Sequence, residues 1–170
     1  MNGVIICGYP GVGKTTIAGK DNIVDLESSN FKFFGPPDCE HYWVEQYGRV
    51  ALDLAKQGYI VLCSTHVDTI EWMHDHAPEM RRLAVSGPYI VCPAKELKYE
   101  WLKRLHDRFM TDQTSKNYRA YERAKEHFDE DIDYLLSFAP SHVFKVGIFN
   151  DTLESRIEEI LWKRERDKLL

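Results

Sequence analysis

The stretch Gly8-Tyr9-Pro10-Gly11-Val12-Gly13-Lys14-Thr15 decides how the rest of the chain is read. It fills every required position of the pattern GxxxxGK[ST] and stands in the required setting, after a strand and before a helix. Ahead of it, Gly3-Val4-Ile5-Ile6-Cys7 is a continuous apolar run, the mark of a strand covered on both faces. Behind it, residues 15–20 read as a helix, kept short because Ile23-Val24-Asp25-Leu26 reads as a second strand. Further out, residues 41–57 set Trp43, Tyr47, Val50 and Leu54 on one helix face, with Gly58 as C-cap. Tyr59-Ile60-Val61-Leu62-Cys63 is a third strand, and residues 68–76 a helix with Asp68 as N-cap. Tyr89-Ile90-Val91-Cys92 is a fourth strand closed by Pro93. Residues 95–109 repeat Leu97, Trp101, Leu105 and Phe109 as a buried stripe. A polar bridge, residues 111–117, leads to a helix carrying Tyr121, Ala124, Phe128, Ile132 and Leu135. His142-Val143-Phe144-Lys145-Val146 is a fifth strand. Asp151-Thr152-Leu153-Glu154 reads as a capping box opening a last helix, with Leu153, Ile157 and Leu161 on one face. Apolar strands alternating with helices predict an α/β protein, a three-layer α/β/α sandwich of five parallel strands.

Composition narrows the classes. The chain has 170 residues, which favours a single domain over 1–170, and 44% of them are apolar. With 22 Lys and Arg against 27 Asp and Glu the net charge is −5, a poor match to a sequence-independent nucleic-acid binder. No apolar run approaches the roughly 20 residues of a membrane span, so no membrane contact is expected. The first residues lack the basic start and long apolar stretch of a secretory signal. The four cysteines, Cys7, Cys39, Cys63 and Cys92, form no CxxC pair, and three lie in strand-like runs as small hydrophobes. The expected compartment is the reducing cytoplasm.

The glycines of the opening motif let the backbone curl until successive N–H groups converge on phosphate oxygens, and the helix N-terminus behind them adds its dipole. The expected nucleotide-binding set is Gly8, Tyr9, Pro10, Gly11, Val12, Gly13, Lys14, Thr15 and Thr16. Lys14 is to reach the β- and γ-phosphates of ATP, and the Thr15 hydroxyl is to ligate Mg2+.

Asp25 and Glu27 are two apart in an extended segment and so share a face at the carboxyl end of the second strand, the edge where open α/β sheets bind ligands. One carboxylate there can orient or deprotonate an attacking group, and one can hold Mg2+ through water. Asp25, nearer the apolar strand, is the stronger candidate for catalysis and metal, and Glu27 for substrate. A solvated strand end is the competing reading. The third strand ends Cys63-Ser64-Thr65-His66, with no Asp where many switch GTPases and motor ATPases carry one, and no NKxD-type guanine reader follows. His66 is a candidate for substrate or a cap of the next helix. Arg104 and Arg108 share a helix face, as do Arg119 and Arg123. Arginines on a helical hairpin over about 95–128 can close over ATP and neutralise the transferring phosphoryl group. Glu100, Asp107 and Glu122 are available partners, so a salt-bridged surface competes.

GYPGVGKTT at residues 8–16, VDLESS at the second strand end, the STH end of the third and the arginine-bearing segment after IVCP together resemble the small P-loop kinases of nucleoside monophosphates and related hydroxyl compounds. Adenylate, thymidylate, shikimate and gluconate kinases and phage deoxynucleotide kinases are the relatives meant. The resemblance spans the whole chain as an architecture, and only the phosphate loop is highly specific. It implies a P-loop NTPase fold of strand order 2-3-1-4-5, a lid, an acceptor site within residues 28–57, and an adenine contact from Gly147-Ile148-Phe149-Asn150. The adenylate-kinase lid and acceptor signatures and the thymidylate-kinase DRY or DRX motif are missing.

The function so expected is ATP- and Mg2+-dependent phosphoryl transfer to a small acceptor, a (deoxy)nucleoside monophosphate first. Phe31, Phe33 and Phe34 are candidates to stack on a base and Arg49 to hold an acceptor phosphate, while Trp43 and Tyr47 fit the buried stripe. Two alternatives stand beside it: a kinase of polynucleotide ends or modified DNA bases, and a P-loop NTPase switch with no acceptor. His74 and His76 do not share a helix face, which excludes a zinc pair.

Overall fold

A computed structural model of the chain describes residues 3–20, 22–32, 42–147 and 151–167. Its five strands are β1 (Val4–Gly8), β2 (Ile23–Asp25), β3 (Ile60–Ser64), β4 (Ser86–Pro93) and β5 (Val143–Val146). They form one parallel sheet of order β2-β3-β1-β4-β5, with helices on both sides. This is the expected α/β fold, and β1, buried throughout, is its middle strand. The register sets Cys7 opposite Cys63 and Gly8 opposite Ser64, and Asp25 opposite Leu62. The carboxyl ends of β1, β2 and β3 therefore lie along one sheet edge. Among the described residues no helix is long and apolar enough to cross a membrane.

Contacts divide the chain into two compact units, Met1–Gly8 with Lys14–Ile90, and Tyr9–Gly13 with Val91–Leu170. The first holds α1 (Lys14–Ile17), α2 (Tyr42–Lys56), α3 (Val67–Asp75) and α4 (Ala77–Arg82). On α2 the buried face is Trp43, Val44, Tyr47, Gly48, Ala51, Leu52 and Ala55. Val50 and Leu54, expected in that stripe, are only half-buried. Small residues explain the rotation. Ala51 and Ala55 carry a weak hydrophobic signal but let the helix approach closely, and the Ala55 carbonyl accepts from Gly3 N at 2.6 Å. The N-cap of α3 is His66, not Asp68, which lies in the first turn. The short α4, with Pro78 in its first turn, was not expected; it starts from His76, the residue that ends α3.

The second unit holds the hairpin of α5 (Lys98–Thr111) and α6 (Ser115–Leu136), then β5 and α7 (Leu153–Asp167). On α5 only Trp101 and Leu105 are buried; Leu97 belongs to a one-turn 3-10 segment before the helix, and Phe109 is half-buried. The apolar face of α6 is as expected at Ala124, Phe128, Ile132 and Leu135, and the helix is kinked at His127, φ −127°. Thr152, not Asp151, caps α7: Ser155 N donates to Thr152 Oγ1 at 3.2 Å, while the Asp151 carboxylate pairs with Arg156. Ile160 is buried where Leu161 was expected.

Candidate functional site

Within the first unit, β1 ends at Gly8 and α1 opens at Lys14. The helix has four residues rather than the expected span 15–20, so its dipole is small and the positive field is left to backbone N–H groups and Lys14. The Lys14 ammonium is turned back to donate to the Gly8 carbonyl at the end of β1. The Thr15 hydroxyl donates to Asp25 Oδ2 at 3.3 Å. Two candidates from separate stretches of sequence thus meet at the carboxyl edge of the sheet. Both are hard oxygen donors of the kind Mg2+ takes, and that ion fills most of its shell with water and phosphate oxygens, so the pair suits it. Among the described residues no cluster of three His, Cys, Asp or Glu side chains could hold a metal unaided.

Glu27 has a local task. Its carboxylate accepts from Ser29 N at 3.5 Å and caps the 3-10 turn Ser28–Asn30. Tyr47, fully buried on α2, reaches the same strand ends: its hydroxyl donates to the Leu26 carbonyl at 2.7 Å and accepts from Ser64 N at 2.9 Å. Phe31 stands edge-on to the Tyr47 ring at 5.1 Å, and the Trp43 ring meets His66 edge-on at 5.2 Å. The Lys32 ammonium lies 5.2 Å from the Trp43 ring centre, and His66 N donates to Ser64 Oγ at 3.3 Å. Asp25, Glu27, Phe31, Tyr47, Ser64 and His66 therefore belong to one neighbourhood at the ends of β2 and β3.

Burial pushes the Tyr47 phenol well up, so it remains a donor across the physiological range. Burial also carries the Cys63 thiol up to about 12, opposed by the neighbouring Tyr47 hydroxyl and the nearby charge of Lys14. The Cys92 thiol likewise reaches about 12 by burial, and Cys7 rises for the same reason. These three cysteines are free and packed as small hydrophobes, while Cys39 lies outside the described residues.

Arg49 is not brought to this group. Its guanidinium bonds Glu45 and Glu79, each at 2.8 Å, and lies 5.3 Å from the Trp72 ring centre. Phe33, Phe34 and the end of the expected adenine loop, residues 148–150, lie outside the described residues.

Within the second unit, the middle of the glycine-rich loop is anchored by packing. Tyr9 N donates to the Val91 carbonyl at 2.9 Å, and the buried Tyr9 ring stands edge-on to Phe128 at 6.0 Å. The Trp101 indole N–H donates to the Pro10 carbonyl at 2.8 Å. Arg104 stacks 4.4 Å over the Trp101 ring and donates to the Gly11 carbonyl at 3.4 Å. Gly11 has φ +88°, and a Cβ there would stand 3.1 Å from Leu105 Cδ2. Gly13 has φ +104° in open space, so conformation alone demands glycine there. Arg108 lies one turn beyond Arg104, half-buried. Arg123 makes a two-pronged pair with Asp131, at 2.6 and 3.1 Å, and Arg119 is exposed.

Two participants were missed in the sequence: the Tyr47 hydroxyl and the Trp101 N–H. Both residues were read as buried apolar positions. A buried Tyr or Trp needs a polar partner, which was a usable signal, though it does not say which partner.

No protein-family model and no curated protein sequence matches the chain. The sheet order, with a glycine-rich loop leaving the middle strand, is compatible with the P-loop NTPase fold.

Proposed function

We propose that the chain transfers the γ-phosphoryl group of ATP to a small acceptor, a (deoxy)nucleoside monophosphate first. The observation that carries this is the pair of contacts at the loop's end, Lys14 on the Gly8 carbonyl and Thr15 on Asp25. Both are contacts a triphosphate with its metal would replace at a gain. The Lys14 bond to the Gly8 carbonyl would give way to bonds with charged phosphate oxygens, and charge-assisted hydrogen bonds are roughly twice as strong as neutral ones.

In this reading Gly8 to Thr16 wrap the phosphates with backbone N–H groups, and Lys14 bonds the β- and γ-oxygens. Thr15 is the metal ligand, with Asp25 beside it. When bound, Mg2+ neutralises charge on those oxygens. Asp25 orients the attacking oxygen and accepts its proton where the acceptor is a hydroxyl. The new bond joins that oxygen to the γ-phosphorus as the bond to the β–γ bridging oxygen breaks, giving ADP. Arg104 and Arg108, which share a helix face by their spacing, are the cations proposed for the charge of the transferring group. Glu27, Phe31 and His66 line the acceptor side.

Calorimetry with ATP and magnesium, followed by coupled ADP-release assays over nucleosides and nucleoside monophosphates, tests the reading. The expected result is ATP binding and release that depends on one acceptor group. Asp25→Asn should abolish transfer while leaving ATP affinity within about threefold, or about 0.7 kcal/mol. ATP binding with no acceptor-dependent release across the panel would overturn the kinase reading in favour of a nucleotide-binding switch.

A further inference from the structure

The ladder between β2 and β3 stops being regular where the candidate site begins. The Leu26 N–H still donates to the Leu62 carbonyl at 2.8 Å. In a parallel ladder the next bond would run from Ser64 N–H to the Leu26 carbonyl. Both groups turn to Tyr47 instead, the N–H at 2.9 Å and the carbonyl at 2.7 Å. The phenol oxygen is thus inserted into the ladder and replaces one backbone bond with two in series. A direct bond would hold nitrogen and oxygen near 2.9 Å, whereas two bonds meeting at one oxygen keep them about 4.5–5.5 Å apart. Residues bordering this gap are Asp25 and Glu27 on one strand end and Ser64 and His66 on the other. The edge-on rings of Phe31 and Trp43 pack the phenol in place, at 5.1 and 6.1 Å. Burial holds its proton on, so the same hydroxyl can serve the carbonyl and the N–H together.

We infer that the Tyr47 hydroxyl is a positioning residue: it spaces the ends of β2 and β3 so that the acceptor enters between Asp25 and the Ser64–His66 turn. The inference rests on the phosphotransferase reading and extends it, because Tyr47 would act through the strand ends it bridges, Leu26 and Ser64.

Tyr47→Phe tests it, since the ring and its packing stay and only the spacer oxygen goes. In a crystal structure of the variant, Ser64 N should move into direct bonding distance of the Leu26 carbonyl. In kinetics, the acceptor KM should rise about tenfold or more, close to 1.4 kcal/mol, while ATP affinity stays within about twofold. A merely structural role would lower the melting temperature without that split between acceptor and ATP. A variant structure in which the two strand ends keep their separation overturns the inference, and so does a closed gap with unchanged acceptor KM. Should the wild-type chain bind ATP but phosphorylate nothing, the phosphotransferase reading fails and the positioning role fails with it, while the variant structure still decides whether the hydroxyl is the spacer. If Tyr47→Phe does not fold, Tyr47→His keeps a donor and an acceptor at shorter reach. It should give a partly closed gap and an intermediate KM, and wild-type values for both would overturn the inference.

Discussion

The two parts of the glycine-rich loop are held in different ways. Its middle, Tyr9 to Gly13, is fixed by burial: the Tyr9 ring on Phe128, the Pro10 carbonyl on the Trp101 indole, and Gly11 against Leu105 and Trp101. At its end, Lys14 donates to the Gly8 carbonyl and the Thr15 hydroxyl to Asp25. The proposed function, a loop that wraps phosphates, would draw on both. The fixed part keeps the curl before any ligand arrives, so little ordering entropy is left to lose on binding. The end places polar groups, the Lys14 ammonium and the Thr15 hydroxyl, where a ligand would meet them.

The sharpest test of this contrast is Lys14→Ala. ATP affinity should fall by about two orders of magnitude, the cost of removing a charge that bonds two phosphates. Stability in urea without ligand should change by less than about 1 kcal/mol, because Lys14 is only half-buried and solvent screens its contacts. Added Mg-ATP at 100 times its Kd should stabilise the wild-type chain by about 2.7 kcal/mol and this variant hardly at all. A large loss of stability in the unliganded variant would break the distinction, since the end of the loop would then be structural as well.

Gly11→Ala probes the fixed part. A residue with a Cβ must adopt φ +88° there and crowd Leu105 at 3.1 Å. The expected cost is about 1–3 kcal/mol of stability. At about 2–4 °C per kcal/mol for a chain this size, thermal melting reads it directly. ATP affinity should fall only so far as the curl is lost. Trp101→Phe is the milder version: the Pro10 carbonyl loses its donor at a cost of about 1–2 kcal/mol, and unchanged melting would show that the loop needs no anchor there.

Legibility followed the range of the interaction. The strands and the loop motif were plain because each is a local pattern, a run of apolar residues or a fixed spacing of glycines. Thr15 and Asp25 were both named from such patterns, and the sheet order then brings β1 and β2 to opposite sides of β3 with their ends on one edge. What stayed hidden depends on distant partners. Nothing near Tyr47 announces that its hydroxyl will stand between Leu26 and Ser64. Arg49 looked available because Glu79, which holds it, is 30 residues away on a helix that was itself not expected. The rotation of α2 was missed for a different reason: it is set by Ala51 and Ala55, whose value lies in being small.

Arg49 also gives the smallest and most discriminating prediction, because it is a cation already paired within the fold. Lys14 stands at the end of the glycine-rich loop, whereas Arg49 is held on α2 by two carboxylates and an indole. Replacing it, as Arg49→Met, should leave acceptor KM unchanged and cost under about 1 kcal/mol, since the guanidinium and Glu45 side chains are 42% and 45% exposed and solvent screens them. The pH dependence carries the same signature. The Trp72 indole N–H, and then Arg49, hold the Glu45 carboxyl below the ordinary glutamate range. A carboxyl depressed on folding adds stability that is present above its unfolded pKa, near 4.5, and is lost as pH falls through the lower folded value. Trp72→Phe, which removes the larger cause, should therefore flatten the fall of melting temperature below about pH 4.5 more than Arg49→Met does. A rise in acceptor KM in Arg49→Met, with that acid limb unchanged, would move Arg49 from the frame of the protein to its acceptor site.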